Sequence, residues 1–308
     1  MNPLLATSLR EGLVPAAIFA VFLTICAGIW AQIYGRWQRG EPVIPLARRR
    51  PVPWQAQDVL FLFLMSLFLS IVAAKTVRAW VGPGDAQQAA DQKPELDHAA
   101  QQLLHRGNPG EIAVAVTMAV IVAPVSEEFF FRVLLQGWLE AVWSRRRRKQ
   151  RELRAAPLSW LPIVLPAVFF ALMHLRSSKE PLAPHYLTGL FLGQMASDLL
   201  MLGLAIVVLR IAVGATAADL GWKPEKLRAD VKLGLVALLA ATPLVLAIQV
   251  ALTVLVNWNG VGYAPDPIPL FLLALVLGTL YHRTHRIAPS LVLHMAFNAT
   301  SIALYFAG

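Results

Sequence analysis

Eight runs of predominantly apolar residues divide the chain, at about 13–34, 57–80, 111–143, 157–175, 186–212, 232–256, 267–282 and 287–307. Polar and charged residues gather in the short intervals between them. An α-helix rises 1.5 Å per residue, so about 20 apolar residues cross a hydrocarbon layer near 30 Å thick. The pattern therefore predicts an all-α fold, a polytopic membrane helix bundle with about eight transmembrane helices. The run 111–143 is longer than a simple span requires, since its 33 residues reach roughly 50 Å. Its last turns, "LEAVWSRRRRK", are expected to project beyond the bilayer and rest against anionic headgroups.

Charge sets the orientation. Arg36, Arg39, Arg48, Arg49 and Arg50 occupy the interval 35–56, "SRRRRKQRELR" lies at 144–154, and "HRTHR" at 282–286. With the mixed-charge interval 213–231, every second connection is the basic one. The positive-inside rule then places these four loops in the cytoplasm, both termini outside, and the polar segment 83–110 on the external side. That segment carries one short amphipathic helix, "PELDHAAQQLLHR". The division read from this is 1–110, two N-terminal spans and an external polar segment, and 111–308, a membrane core. No internal repeat is evident.

The composition agrees: of 308 residues 57% are hydrophobic and 15% charged, with a mean hydropathy of +0.59. The net charge of +9 would suit nucleic acid, but the cations sit in loops beside apolar runs, so membrane lipids are the expected partner and nucleic acid is not. The single cysteine, Cys26, excludes an intrachain disulfide and a cysteine-based metal cluster.

Three places combine apolar surroundings with chemistry: Glu127, Glu128 and Arg132 in "EEFFFR", His174 in "FALMH", and His294 with Asn298 in "HMAFN". Ionisable groups inside a membrane are costly and are functional by default. Glu128 and Arg132 are four apart with the acid first, the favourable order for a pair, while Glu127 points about 100° away. Glu127 lies about 16 residues before the end of one helix and His174 about 16 after the start of the next. An antiparallel hairpin would set the two at one depth. His294 lies seven residues, roughly 10 Å, beyond "HRTHR" and shares a helix face with Asn298. Glu127, His174, His294 and Asn298 are thus expected to line one cavity in the cytoplasmic half of the bilayer. A carboxylate beside an imidazole could take a proton from water attacking a carbonyl, and the other histidine and asparagine could donate to the oxyanion.

Plainer readings stand beside these. Glu128 and Arg132 could be a structural ion pair, and His294 with Asn298 could hold helices together. Gln194 and Asp198, four apart, suit a hydrogen bond inside the bundle or a second polar line at the site. "GLFLG" at 189–193 suits close helix packing, and Phe129, Phe130 and Phe131 suit core or lipid contact. His98, His105, His185, His282 and His285 fall in or beside loops, as solvated or interfacial residues. "GPGD" at 82–85 mimics an aspartyl-protease motif but lies in the external loop, and no Gly-x-Ser-x-Gly occurs.

The three motifs fit EExxxR, FxxxH and HxxxN/D, in that order and on separate predicted helices. Over about 111–300 the chain resembles the CAAX-protease and bacteriocin-processing (CPBP, or ABI) intramembrane endopeptidases, which include the type II CAAX prenyl endopeptidases. The resemblance implies a peptide-bond hydrolase acting near the membrane surface. Glu127 would be the base, with His174 beside it; His294 and Asn298 would form the oxyanion site; Glu128 and Arg132 would be the second acid and the arginine. The substrate would be a peptide or protein, which could be lipidated as in eukaryotic members. A metal-independent glutamate mechanism without a cofactor is favoured, because the spacings lack the paired histidines of HExxH. Zinc held by His174, His294 and Glu127 is the alternative. The expected location is the bacterial cytoplasmic membrane, with the site opening toward the cytoplasm. Competing functions are a non-catalytic scaffold or immunity-type protein of the same fold, and a proton-coupled transporter.

Overall fold

The computed structural model describes residues 3–47, 51–81, 99–150, 160–175, 184–258 and 267–307. Among them every regular element is helical. The long helices are α1 (Pro3–Gln38), α2 (Ala56–Val81), α4 (Pro109–Gln150), α6 (Pro184–Ile211), α7 (Leu227–Trp258), α8 (Pro267–Thr284) and α9 (Ile287–Ala307). The shorter ones are α3 (Ala99–Arg106) and α5 (Leu161–Met173). Among the described residues, seven helices are long and apolar enough to cross a membrane. The run expected as an eighth span, 157–175, yields only the 13 residues of α5, about 20 Å, which is too short to cross alone. The chain is a multi-pass integral membrane protein.

Of the polar segment 83–110, the helix α3 covers the second half of the expected amphipathic stretch; 82–98, which includes "GPGD" and His98, lies outside the described residues. Asn108 then caps α4: its side chain accepts from the backbone N–H of Gly110 and Glu111, and Glu111 reaches back to the Asn108 N–H. This reciprocal capping fixes where the long helix begins.

Helix α4 is continuous but not uniform. Two stretches, Met118–Val122 and Phe129–Gln136, wind in the wider π form. Such turns bond i to i+5, leave carbonyls available to outside donors, and occur frequently at functional sites. Both stretches have such a donor. The Asn298 amide donates to Ala119 O at 2.7 Å, and the fully buried Trp54 indole donates to Leu134 O at 3.1 Å. The last turns of α4 run on to Gln150, so the basic stretch begins as a continuation of the helix.

Helix α4 lies among α5, α6 and α9, while α2 runs along α6, α7 along α9, and α5 along α8. In α8, 44% of the most apolar window is buried inside the bundle, against 6% in α1, which makes α8 central and α1 peripheral. The interval between α1 and α2 is not a free loop. Val52 and Trp54 insert into the main core beside Phe129, Val133 and Leu134, and Ala47 N–H donates to Arg283 O. Gly193 of "GLFLG" permits the α2–α6 approach: a Cβ there would stand 3.0 Å from Val77 Cγ2.

Candidate active site

Glu127 and Glu128 stand where α4 passes from α-helix into its second π stretch. The Glu128 carboxylate is fully buried and meets Arg132 Nε at 3.3 Å, one helical turn on. Its other oxygen accepts from His294 Nδ1 at 3.1 Å. Glu127 points elsewhere, with 26% of its side chain exposed against none for Glu128. Of the two carboxylates, only Glu127 presents surface beyond the packed protein.

Glu127 faces two imidazoles. His174 Nε2 lies 3.8 Å from Oε1 and His294 Nε2 lies 3.7 Å from Oε2. Both gaps are too long for direct hydrogen bonds and short enough for a water lying beside them to bridge the two groups. His174 terminates the short helix α5 rather than lying mid-span, and its Nδ1 contacts Phe170 O at 2.7 Å. That carbonyl can only accept, which assigns the proton to Nδ1 and leaves the Nε2 lone pair toward Glu127 in the neutral ring.

Phe170 is the hub of this arrangement. It is 1% exposed, its ring lies 4.5 Å from that of His174 and 5.8 Å from that of His294, and the Arg132 guanidinium sits 5.9 Å over it. Sequence reading treated it only as the first letter of "FALMH", yet a residue four before His174 on a helix was the available signal. The structure brings Glu127, Glu128, Arg132, His174 and His294 together. Asn298 is turned to Ala119 O, which engages one of its two amide hydrogens.

A polar line that sequence reading missed continues down α4. Gln136, fully buried, donates to Gly278 O at 2.8 Å and to Glu140 at 3.1 Å. Glu140 in turn accepts from His282 Nδ1 at 3.0 Å and lies 3.3 Å from His285 Nδ1. These two histidines are thus partners of a membrane carboxylate, not simply solvated loop residues. On a regular α-helix each four-residue step drifts about 40°. The wider π turns offset that drift, so Glu128, Arg132, Gln136 and Glu140 keep to one face. Their four-residue spacing was the sequence signal.

Gln194 and Asp198 form a network that adjoins Glu127: Gln194 donates to Asp198 at 2.7 Å and to Ser70 at 3.3 Å, and Ser126, the residue before Glu127, donates to Asp198 at 3.3 Å. Phe129 and Phe131 are buried in the core, with Phe130 packed beside them. The donor chemistry of His174, His294 and Glu127 would suit zinc; among the described residues no group of three or more His, Cys, Asp or Glu is arranged to hold a metal ion.

The bundle and its cluster of carboxylates and imidazoles define a polytopic membrane protein with ionisable groups gathered inside it. The chain belongs to the Rce1-like type II CAAX prenyl endopeptidase family, whose profile matches residues 109–300, from the cap of α4 into α9. It therefore has the fold of a CAAX-type intramembrane protease, for which membrane lipids and peptide substrates are the partners. Neither a curated protein nor a solved structure matches the chain.

Proposed function

We propose that the protein is an intramembrane endopeptidase that hydrolyses a peptide bond with water activated by Glu127. The observation that carries this reading is the placement of Glu127 between His174 and His294, less than 4 Å from each and only partly buried. A water beside the first gap would donate one hydrogen to the carboxylate and the other to His174 Nε2. Glu127 takes the proton as the water oxygen attacks the scissile carbonyl carbon. The carbonyl oxygen, now an alkoxide, accepts from the Nε2–H of His294 in its imidazolium form and from the remaining Asn298 amide hydrogen. Collapse breaks the C–N bond, and the proton held by Glu127 passes to the departing amine. Glu128 and Arg132 act through His294 by holding its ring. No metal takes part in these steps.

The basic ends of α1, α4 and α8 mark the cytoplasmic face by the positive-inside rule, so the substrate would be a peptide segment presented from that side, with a lipidated tail as one class. The test is reconstitution of the wild type and Glu127→Gln in vesicles with a farnesylated C-terminal peptide, paired with comparison of membrane-protein C-termini in cells carrying either form. Cleavage or a changed C-terminus is expected with the wild type only, the variant losing about 10²- to 10⁴-fold in rate. Equal cleavage by both would sink the assignment of Glu127.

A further inference from the structure

A cleft separate from the Glu127 site opens between α1 and α7. Ile29 and Ile33 form one wall, Leu233, Ala237 and Leu244 the other, and Ile44 lies between them; the volume is about 490 Å³. None of Glu127, His174 or His294 lines it. The two walls are tied together, because the Trp30 indole of α1 donates to Ala240 O of α7 at 3.1 Å.

The cleft is apolar along its length and cationic at one end. Arg36, Lys232 and Arg286 stand there. Arg286 is neutralised by both oxygens of the buried Asp230, at 2.7 and 2.9 Å from its Nε. Arg36 and Lys232 enter no ion pair among the described residues; the nearby Glu41 acts on Arg36 only at longer range, being held by Arg39 at 2.8 Å, so the mouth stays net positive. From Lys232 to Leu244, α7 rises about 18 Å, close to the roughly 15 Å of one leaflet's hydrocarbon. The cations thus stand at headgroup depth while the apolar walls run toward the midplane.

Size and charge select the occupant. A helix about 10 Å across would fill 490 Å³ in little more than one turn, so a protein segment does not fit, whereas an extended hydrocarbon chain does. We propose that this cleft binds one anionic glycerophospholipid, its phosphate held by Arg36 and Lys232 and an acyl chain lying along Ile33, Ala237 and Leu244. The lipid would fasten α1, which lies outside the family-matched residues, to α7, the neighbour of the helix that carries His294. This inference does not depend on the proposed protease chemistry.

The experiment is native mass spectrometry of the full chain in mild detergent, titrated with phosphatidylglycerol or with phosphatidylcholine of the same acyl chains. Each cation near an anionic headgroup favours binding about fivefold, so the wild type should prefer phosphatidylglycerol by roughly 25-fold. Arg36→Ala with Lys232→Ala should remove that preference, and Arg78→Ala, a cation of α2 outside the cleft, should retain it. Ala237→Trp, which fills the channel, should weaken both lipids; thermal unfolding shows that each variant is folded. No preference in the wild type, or an undiminished one in the double variant, overturns the proposal. So does displacement of the lipid by glycerol phosphate alone, since the tail would then contribute nothing.

Discussion

His294 donates its Nδ1–H to Glu128 at 3.1 Å, across 166 residues of chain, so the adjacent glutamates have different tasks. Glu128 is fully buried and serves both His294 and Arg132, while the ion-pair contacts of Glu127 among the described residues are the 3.7 and 3.8 Å gaps to the histidines. Removing the charge of Glu128 leaves the buried Arg132 guanidinium uncompensated, which typically costs about 3–5 kcal/mol. Removing that of Glu127 breaks no such pair. Glu128→Gln should therefore unfold well below the wild type on heating in detergent, and Glu127→Gln within a few degrees of it. An equal loss of stability in the two would contradict this division.

Glu140 anchors the far end of the same helix face. It accepts from Gln136 and His282 and lies against His285, whose backbone φ of 48° already departs from the usual regions for a side-chain-bearing residue. Glu140→Ala strips the partner from these groups, and an unsatisfied buried donor costs about 1–3 kcal/mol. A lowered unfolding temperature is expected, with catalysis reduced by less than tenfold because Glu127 is three helical turns away. Loss of activity as complete as that of Glu127→Gln would place Glu140 in the chemistry instead.

Much of this was legible in the sequence, for reasons that also mark the boundary. Run lengths and charge at helix ends report directly on the bilayer, so the helical class and the long α4 could be read from them. Counting residues from a shared loop placed Glu127 and His174 at one depth, and their side chains are 3.8 Å apart. The Glu128–His294 contact and the turn of Asn298 toward Ala119 depend on which helices become neighbours, and periodicity along one helix carries no information about that. The π stretches were equally hidden, since nothing in "MAVIV" or "FFFRVLLQ" distinguishes a π turn from an α turn. Their outside donors, Asn298 and Trp54, come from distant parts of the chain. The shortness of α5 was missed because an apolar run records solubility in lipid, whatever backbone it adopts.

Metal dependence separates two mechanisms that share these residues. His174, His294 and Glu127 have zinc-ligand chemistry, and the Nδ1 bond of His294 to Glu128 leaves its Nε2 free, but no metal-site arrangement occurs among the described residues. Cleavage by the reconstituted protein should persist in phenanthroline and be unchanged by added zinc. Metal analysis of the purified protein gives an independent reading, with less than a tenth of an equivalent of zinc expected as a rough bound, since structural zinc sites bind by about 10–16 kcal/mol and retain metal on purification. Stoichiometric zinc, lost together with activity in His174→Ala, would replace the glutamate mechanism with a metal-assisted one.

Gly234 controls how closely α7 approaches the helix that carries His294. A Cβ at this position would stand 2.8 Å from both Pro289 O and Val292 Cβ, distances at which something must move. One of those atoms is backbone, so a side-chain rotation cannot relieve the contact. In an unhindered helix Gly→Ala is worth up to about 1 kcal/mol in its favour. Overpacking costs about 1–3 kcal/mol, so steric cost should prevail and Gly234→Ala should unfold at lower temperature. Because Pro289 and Val292 lie within five residues of His294, the displacement of α9 should also open the 3.1 Å bond to Glu128 and lower the turnover rate more than the apparent substrate affinity. Unchanged stability and turnover in Gly234→Ala would mean that α7 and α9 are not packed as tightly as these distances require.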